Sequence, residues 1–128
     1  MRYRARFLQR HQDRRRHRDL RDAGEGPLGI VYAGVLSVDL LLDSRSLKAK
    51  RSVVRPLVSH LRREFAVAAA ESGHLDLVGR TQIGIAVVAA DLGHCRDVLD
   101  SCERWLAGEP HVQFVRAART YVSDEEME

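Results

Sequence analysis

Residues 30–65 read IVYAGVLSVDLLL, then DSRS, then LKAKRSVVRPLVSHLRREF. The first part, Ile30 to Leu42, is rich in β-branched and aliphatic residues, and it alternates. Tyr32, Leu36, Val38, Leu40 and Leu42 share one face, with Asp39 on the other. This is a strand. Asp43-Ser44-Arg45-Ser46 forms a turn, and Ser46 is placed to cap a helix. From Leu47 to Phe65 the apolar period becomes helical: Leu47, Val54, Leu57, Val58, Leu61 and Phe65 fall on one side. Pro56 inside this pattern predicts a kink, or a split in which Ser52 caps a second part.

Working outward, Ala66–Ser72 fits a short strand or a helix extension, and the strand is preferred. Gly73 to Arg80 is a loop. Thr81–Asp91 is a strand with Ile83, Ile85 and Val87 on one face and Gly84, Ala86 and Ala90 on the other. Asp91 then caps a second helix, in which Cys95, Val98, Leu99, Cys102 and Leu106 keep helical spacing. Gly108 and Pro110 stop it. Val112–Val122 is the last strand, followed by an acidic tail over residues 123–128. The order β-α-β-β-α-β predicts an α+β, ferredoxin-like domain over residues 31–122. Its two helices should cover one face of a four-stranded antiparallel sheet.

The 128 residues suit one domain, and 45% of them are hydrophobic, enough for a core. No apolar run approaches the ~20 residues of a membrane-spanning helix, so no membrane association is expected. Two cysteines supply neither a disulfide framework nor a structural zinc site, and no cofactor motif is present. The formal charge of +3 conceals an asymmetry. Residues 1–30 hold nine arginines and four acids, a net of +5; residues 31–128 hold 12 basic and 14 acidic groups, a net of −2. Three readings of the first thirty residues are open. They can be an Arg-rich arm that holds phosphates, a targeting peptide, or translated upstream sequence ahead of a true start at Val31. Nineteen Arg against two Lys, with no Asn, point to GC-rich coding and favour the last.

The first helix carries the most informative chemistry. Arg45, Lys48, Lys50, Arg51, Arg55, Arg62 and Arg63 are seven of the body's twelve cations, and residues 44–63 contain no acid. Lys48, Arg51, Arg55 and Arg62 share a narrow stripe beside the apolar face, with Lys50 and Arg63 at its margin. Such a stripe generates a local positive field and suits contacts to RNA phosphates. A solvated face partly paired with acids elsewhere is the competing explanation. Base stacking on the sheet is not expected, because the aromatic-rich consensus of RNA-recognition motifs is missing. Val31, Ala33, Val35, Gly84, Ala86 and Val88 would instead form a small aliphatic sheet face suited to cover or to homodimerisation. His74 and Asp76 could support acid–base work, but no nucleophile is placed beside them, and a hydrogen-bonded turn is the simpler reading. Cys95, Cys102 and Trp105 read as packing residues.

Two stretches carry a family resemblance. Val31-Tyr32-Ala33-Gly34-Val35-Leu36, with Ser46-Leu47-Lys48-Ala49-Lys50-Arg51 downstream, resembles the opening of the small bacterial YlxP-like proteins, domain of unknown function 503. Gly73-His74-Leu75-Asp76-Leu77-Val78-Gly79-Arg80, leading into Ile83-Gly84-Ile85, is similar to a second family segment. Leu75 and Val78 depart from the Gln and Trp often found there. The resemblance implies a ferredoxin-like fold, a cytoplasmic bacterial protein, and genes set among those for translation and ribosome maturation. It supplies no catalytic residues. The resulting expectation is a non-enzymatic accessory of translation or ribosome maturation, whose partner is ribosomal RNA or the ribosome. Lys48, Arg51, Arg55 and Arg62 would supply the phosphate contacts, with Lys50 and Arg63 flanking. The alternative is a protein–protein module or a homodimer through the open sheet face; no small-molecule substrate is evident.

Overall fold

The computed structural model describes residues 29–124. Six elements follow one another: β1 (Tyr32–Leu42), α1 (Leu47–Phe65), β2 (Ala68–Gly73), β3 (Arg80–Ala89), α2 (Leu92–Ala107) and β4 (Val112–Ser123). The strands lie in the order β2-β3-β1-β4, and every neighbouring pair is antiparallel. This is the expected ferredoxin-like arrangement. Of the Arg-rich segment 1–30, all but Gly29 and Ile30 lies outside the described residues, as do residues 125–128 of the acidic tail.

The helices cover one face of the sheet, and the alternation in β1 and β3 decides which face. Leu36, Val38 and Leu40 meet Ile83, Ile85 and Val87 beneath Val54, Leu57 and Leu61 of α1 and Leu99 and Leu106 of α2. Cys95 and Cys102 complete the core as free thiols. Gly34 lies on this covered face. A Cβ there would stand 2.8 Å from Leu99 Cδ1 and 3.2 Å from the Tyr121 ring, so its absence lets α2 settle directly on β1. Between the helices, His60 stacks on Trp105 with ring centroids 4.0 Å apart.

Both helices start where a side chain can accept from the orphan backbone donors of the first turn. Ser46 Oγ accepts from the Ala49 N–H at 3.0 Å, and Asp91 Oδ1 from the His94 N–H at 2.8 Å. The expected split of α1 does not occur: it runs unbroken through Pro56. Pro56 is exposed, so water can serve the Ser52 carbonyl that lacks its intrahelical donor. Ser52 caps nothing; its hydroxyl donates to the Ala49 carbonyl inside the helix, at 2.6 Å. The C-terminal boundary also moves. Ser123, expected in the tail, is buried as the last residue of β4 opposite Tyr32. The next pair closes the sheet: the Asp124 N–H donates to the Val31 carbonyl, and the Val31 N–H to Asp124 Oδ1.

Lys50 departs from its expected place. The sequence puts it at the margin of a phosphate-contacting stripe, yet the side chain is 2% exposed. Its Nζ lies 2.9 Å from Glu71 Oε2 and donates to the His74 carbonyl at 2.6 Å. Thr81 donates its hydroxyl to the same Glu71 oxygen. Two of the three donors of this ammonium are committed inside the fold, and its burial keeps it from reaching a phosphate at the surface. It fastens the first turn of α1 to the end of β2 and the turn beyond it. Removing one partner of a buried pair leaves the other unpaired, which costs about 3–5 kcal/mol. Lys50→Met is therefore expected to lower the unfolding free energy by about 3 kcal/mol in urea denaturation, with Lys50→Met/Glu71→Gln recovering part of the loss. A single variant as stable as the parent would show that the pair does not hold the helix.

Candidate functional site

Lys48, Arg51, Arg55, Arg62 and Arg63 all emerge from α1 as exposed side chains. Lys48, Arg51 and Arg55, with Ser52 and Pro56 between them, line an open concavity of about 410 Å³. The packing of Val54, Leu57, Val58 and Leu61 into the core turns the stripe outward. No carboxylate among the described residues pairs with Lys48, Arg51, Arg55 or Arg63; the ion pairs formed involve Lys50, His74, Arg80, Arg116 and Arg119. Arg62 is partly committed, since its Nε donates to the Ala69 carbonyl of β2 at 2.9 Å. The stripe expected from the sequence thus stands with its members exposed, Lys50 excepted. It can donate to phosphate oxygens along a backbone without any rearrangement of the fold.

The other residues singled out in the sequence take different places. His74 does not meet Asp76. Its Nε2 lies 3.7 Å from Asp39 Oδ1, while Asp76 stays exposed in the turn. A second open concavity is lined by Asp100, Glu103, Arg104, Ala107 and Phe114, and neither concavity includes His74. Desolvation pushes the Cys102 thiol up to about 11, so it is a packing group with little thiolate character. Among the described residues no three His, Cys, Asp or Glu side chains gather in a way that could hold a metal ion. No helix among them is long and apolar enough to cross a membrane.

The matching family model, described as protein of unknown function (DUF503), spans residues 33–119. The chain belongs to that family. The matched DUF503 span begins at the second residue of β1 and ends within β4, so it takes in parts or all of all six elements. No curated protein matches the chain.

A second charged assembly within the DUF503 domain was not anticipated from the sequence. Asp39, on the sheet face away from the helices, is 4% exposed. Arg116 of β4 donates through Nε to Asp39 Oδ2 at 2.9 Å, and Arg80 of β3 through a terminal nitrogen at 3.3 Å. The Arg116 hydrogen bond holds the Asp39 carboxyl below its ordinary value of 3.8; burial opposes this, and Arg80 adds to it. The folded carboxyl thus binds a proton less readily than the unfolded one. Its stabilising contribution is complete above the unfolded value and is lost as pH falls through the folded one. Comparing wild type with Asp39→Asn by urea denaturation, the stability gap should be constant from about pH 5 to 7 and shrink below about pH 4. A gap that stays constant down to pH ~2 would contradict an ionised, paired Asp39.

Proposed function

We propose that this DUF503 protein is a non-enzymatic, RNA- or ribosome-associated accessory of translation or ribosome maturation in the bacterial cytoplasm. In this reading α1 contacts RNA phosphates. What supports the RNA contact is one observation: Lys48, Arg51 and Arg55 stand exposed along one helix side with no carboxylate partner among the described residues. Arg62 and Arg63 extend the surface, and Lys50 drops out because it is buried. Residues 31–122 hold 12 basic and 10 acidic groups, a net of +2, and seven of the cations lie between Arg45 and Arg63, so the attraction is concentrated on the helix. Phosphate contacts of this kind read backbone position and shape more than base identity. The link to translation follows from the family resemblance.

A second reading, a protein-interaction module or homodimer without direct RNA contact, is favoured by the open sheet face. Val35 is 43% and Val88 71% exposed there, beside small residues. Charge reversal separates the two. Lys48→Glu/Arg51→Glu/Arg55→Glu, with the fold checked by circular dichroism, should abolish nuclease-sensitive co-sedimentation with ribosomes. It should also lower the salt slope of RNA binding by about 2. Association that survives both the triple change and nuclease would defeat the RNA assignment and favour the protein partner.

A further inference from the structure

Around Asp39 several departures from ordinary strand chemistry meet. A carboxylate is buried three residues before the end of an inner strand, where apolar or small side chains are the usual occupants. On β4, Asp39 pairs with Arg116 while Leu40 pairs with Phe114, so Val115 is an extra residue and Arg116 follows a bulge. Bulges re-aim side chains and gather beside functional sites. His74 has φ 58°, in the left-handed region that few non-glycine residues adopt, and Lys50 grips its carbonyl. Arg80 keeps a buried Nε without a hydrogen-bond partner among the described residues. These features come from β1, β3, β4 and the β2–β3 turn, and they converge on one carboxylate.

Stability is a poor explanation for the arrangement. A buried ion cluster seldom outperforms apolar packing of the same volume, and Arg116 is 76% exposed. What the cluster does achieve is orientation. Arg116 is grasped through Nε, and among the described residues neither of its terminal nitrogens has a partner. Arg80 is grasped through one terminal nitrogen, which leaves the other. The His74 imidazole stands beside them, and the two guanidiniums outweigh the single carboxylate. Donors on three separate groups suit the three terminal oxygens of a phosphomonoester better than the two oxygens of a carboxylate or a phosphodiester. The turn that carries His74 also exposes Leu75 and Leu77, an apolar neighbour for the rest of such a ligand.

We propose that Arg80, Arg116 and His74, organised by Asp39 on the open sheet face, bind the phosphate of a phosphomonoester. This site is separate from the α1 stripe and does not depend on the RNA reading. The ligand's source is either a free phosphorylated small molecule or the 5′ end of an RNA. The test is amide NMR of the full chain titrated with inorganic phosphate, with uridine 5′-monophosphate, and with one oligoribonucleotide carrying a 5′-phosphate or a 5′-hydroxyl. Saturable shifts at Asp39, Arg80 and Arg116 are expected with phosphate. Arg116→Gln and, independently, Arg80→Gln should each weaken the response about tenfold, while Lys48→Glu/Arg51→Glu/Arg55→Glu leaves it unchanged. Tighter binding of the 5′-phosphorylated oligonucleotide than of both its hydroxyl form and the mononucleotide supports the site with an RNA end as source. Tighter binding of the mononucleotide supports it with a small molecule. Shifts that do not saturate, or that persist at full affinity in both Gln variants with well-dispersed spectra, overturn the proposal.

Discussion

The carboxylate of Asp39 joins the inner strand β1 to both of its neighbours. Arg80 reaches it from β3 and Arg116 from β4, so one buried anion bridges three of the four strands across the face that the helices leave open. Its influence extends around the end of the sheet. His74 faces Asp39 with its ring, and its carbonyl accepts from Lys50. Lys50 in turn meets Glu71, which also accepts from Thr81. A chain of polar contacts therefore runs from the open face to the first turn of α1. Such networks are costly when half satisfied, because every unpaired member stays desolvated. They fix geometry when nearly every member has a partner. The aliphatic core beneath Leu36, Val38 and Leu40 supplies cohesion, and the polar chain sets how that end of the domain is arranged.

The same helix serves both purposes because of its pitch. Residues two apart on a helix point ~200° from one another, so Lys48 and Lys50, alike in charge, face opposite ways. Lys50 turns inward and anchors the helix; Lys48, with Arg51 and Arg55, turns outward and makes the cationic surface. The whole chain's basic balance is no guide to either role. Its excess resides largely in residues 1–30, whereas seven of the twelve cations of residues 31–128 lie between Arg45 and Arg63.

Much of the fold was legible because it is written in local patterns. Alternation in Ile30–Leu42, the change of period after Ser46, and the caps at Ser46 and Asp91 all appear in the structure, with strand ends displaced by a residue or two. The outward stripe followed from the same periodicity. Lys50 was misplaced although a signal existed: its angle on the helix lies among Leu57 and Leu61, on the apolar side. What made a lysine tolerable there was Glu71, at the far end of the following strand, and nothing local announces that pairing. Asp39 was read as a polar residue on an open face. Its burial depends on Arg116, 77 positions along the chain, and on a bulge at Val115 that shifts the register. Long-range register set by a single extra residue leaves no period in the sequence to read.

The arginines are of two kinds, those whose guanidinium is held by the fold and those that are exposed without a carboxylate partner among the described residues. Proton exchange at the side-chain Nε–H separates them directly by NMR. Arg116, though largely exposed, should show an Nε–H protected from solvent exchange, and the protection should vanish in Asp39→Asn. Arg51 and Arg55 should exchange at the rate of free arginine in both proteins. An Arg116 Nε–H that exchanges as fast as those of Arg51 and Arg55 in the unaltered protein would contradict the claim that Asp39 organises this end of the molecule.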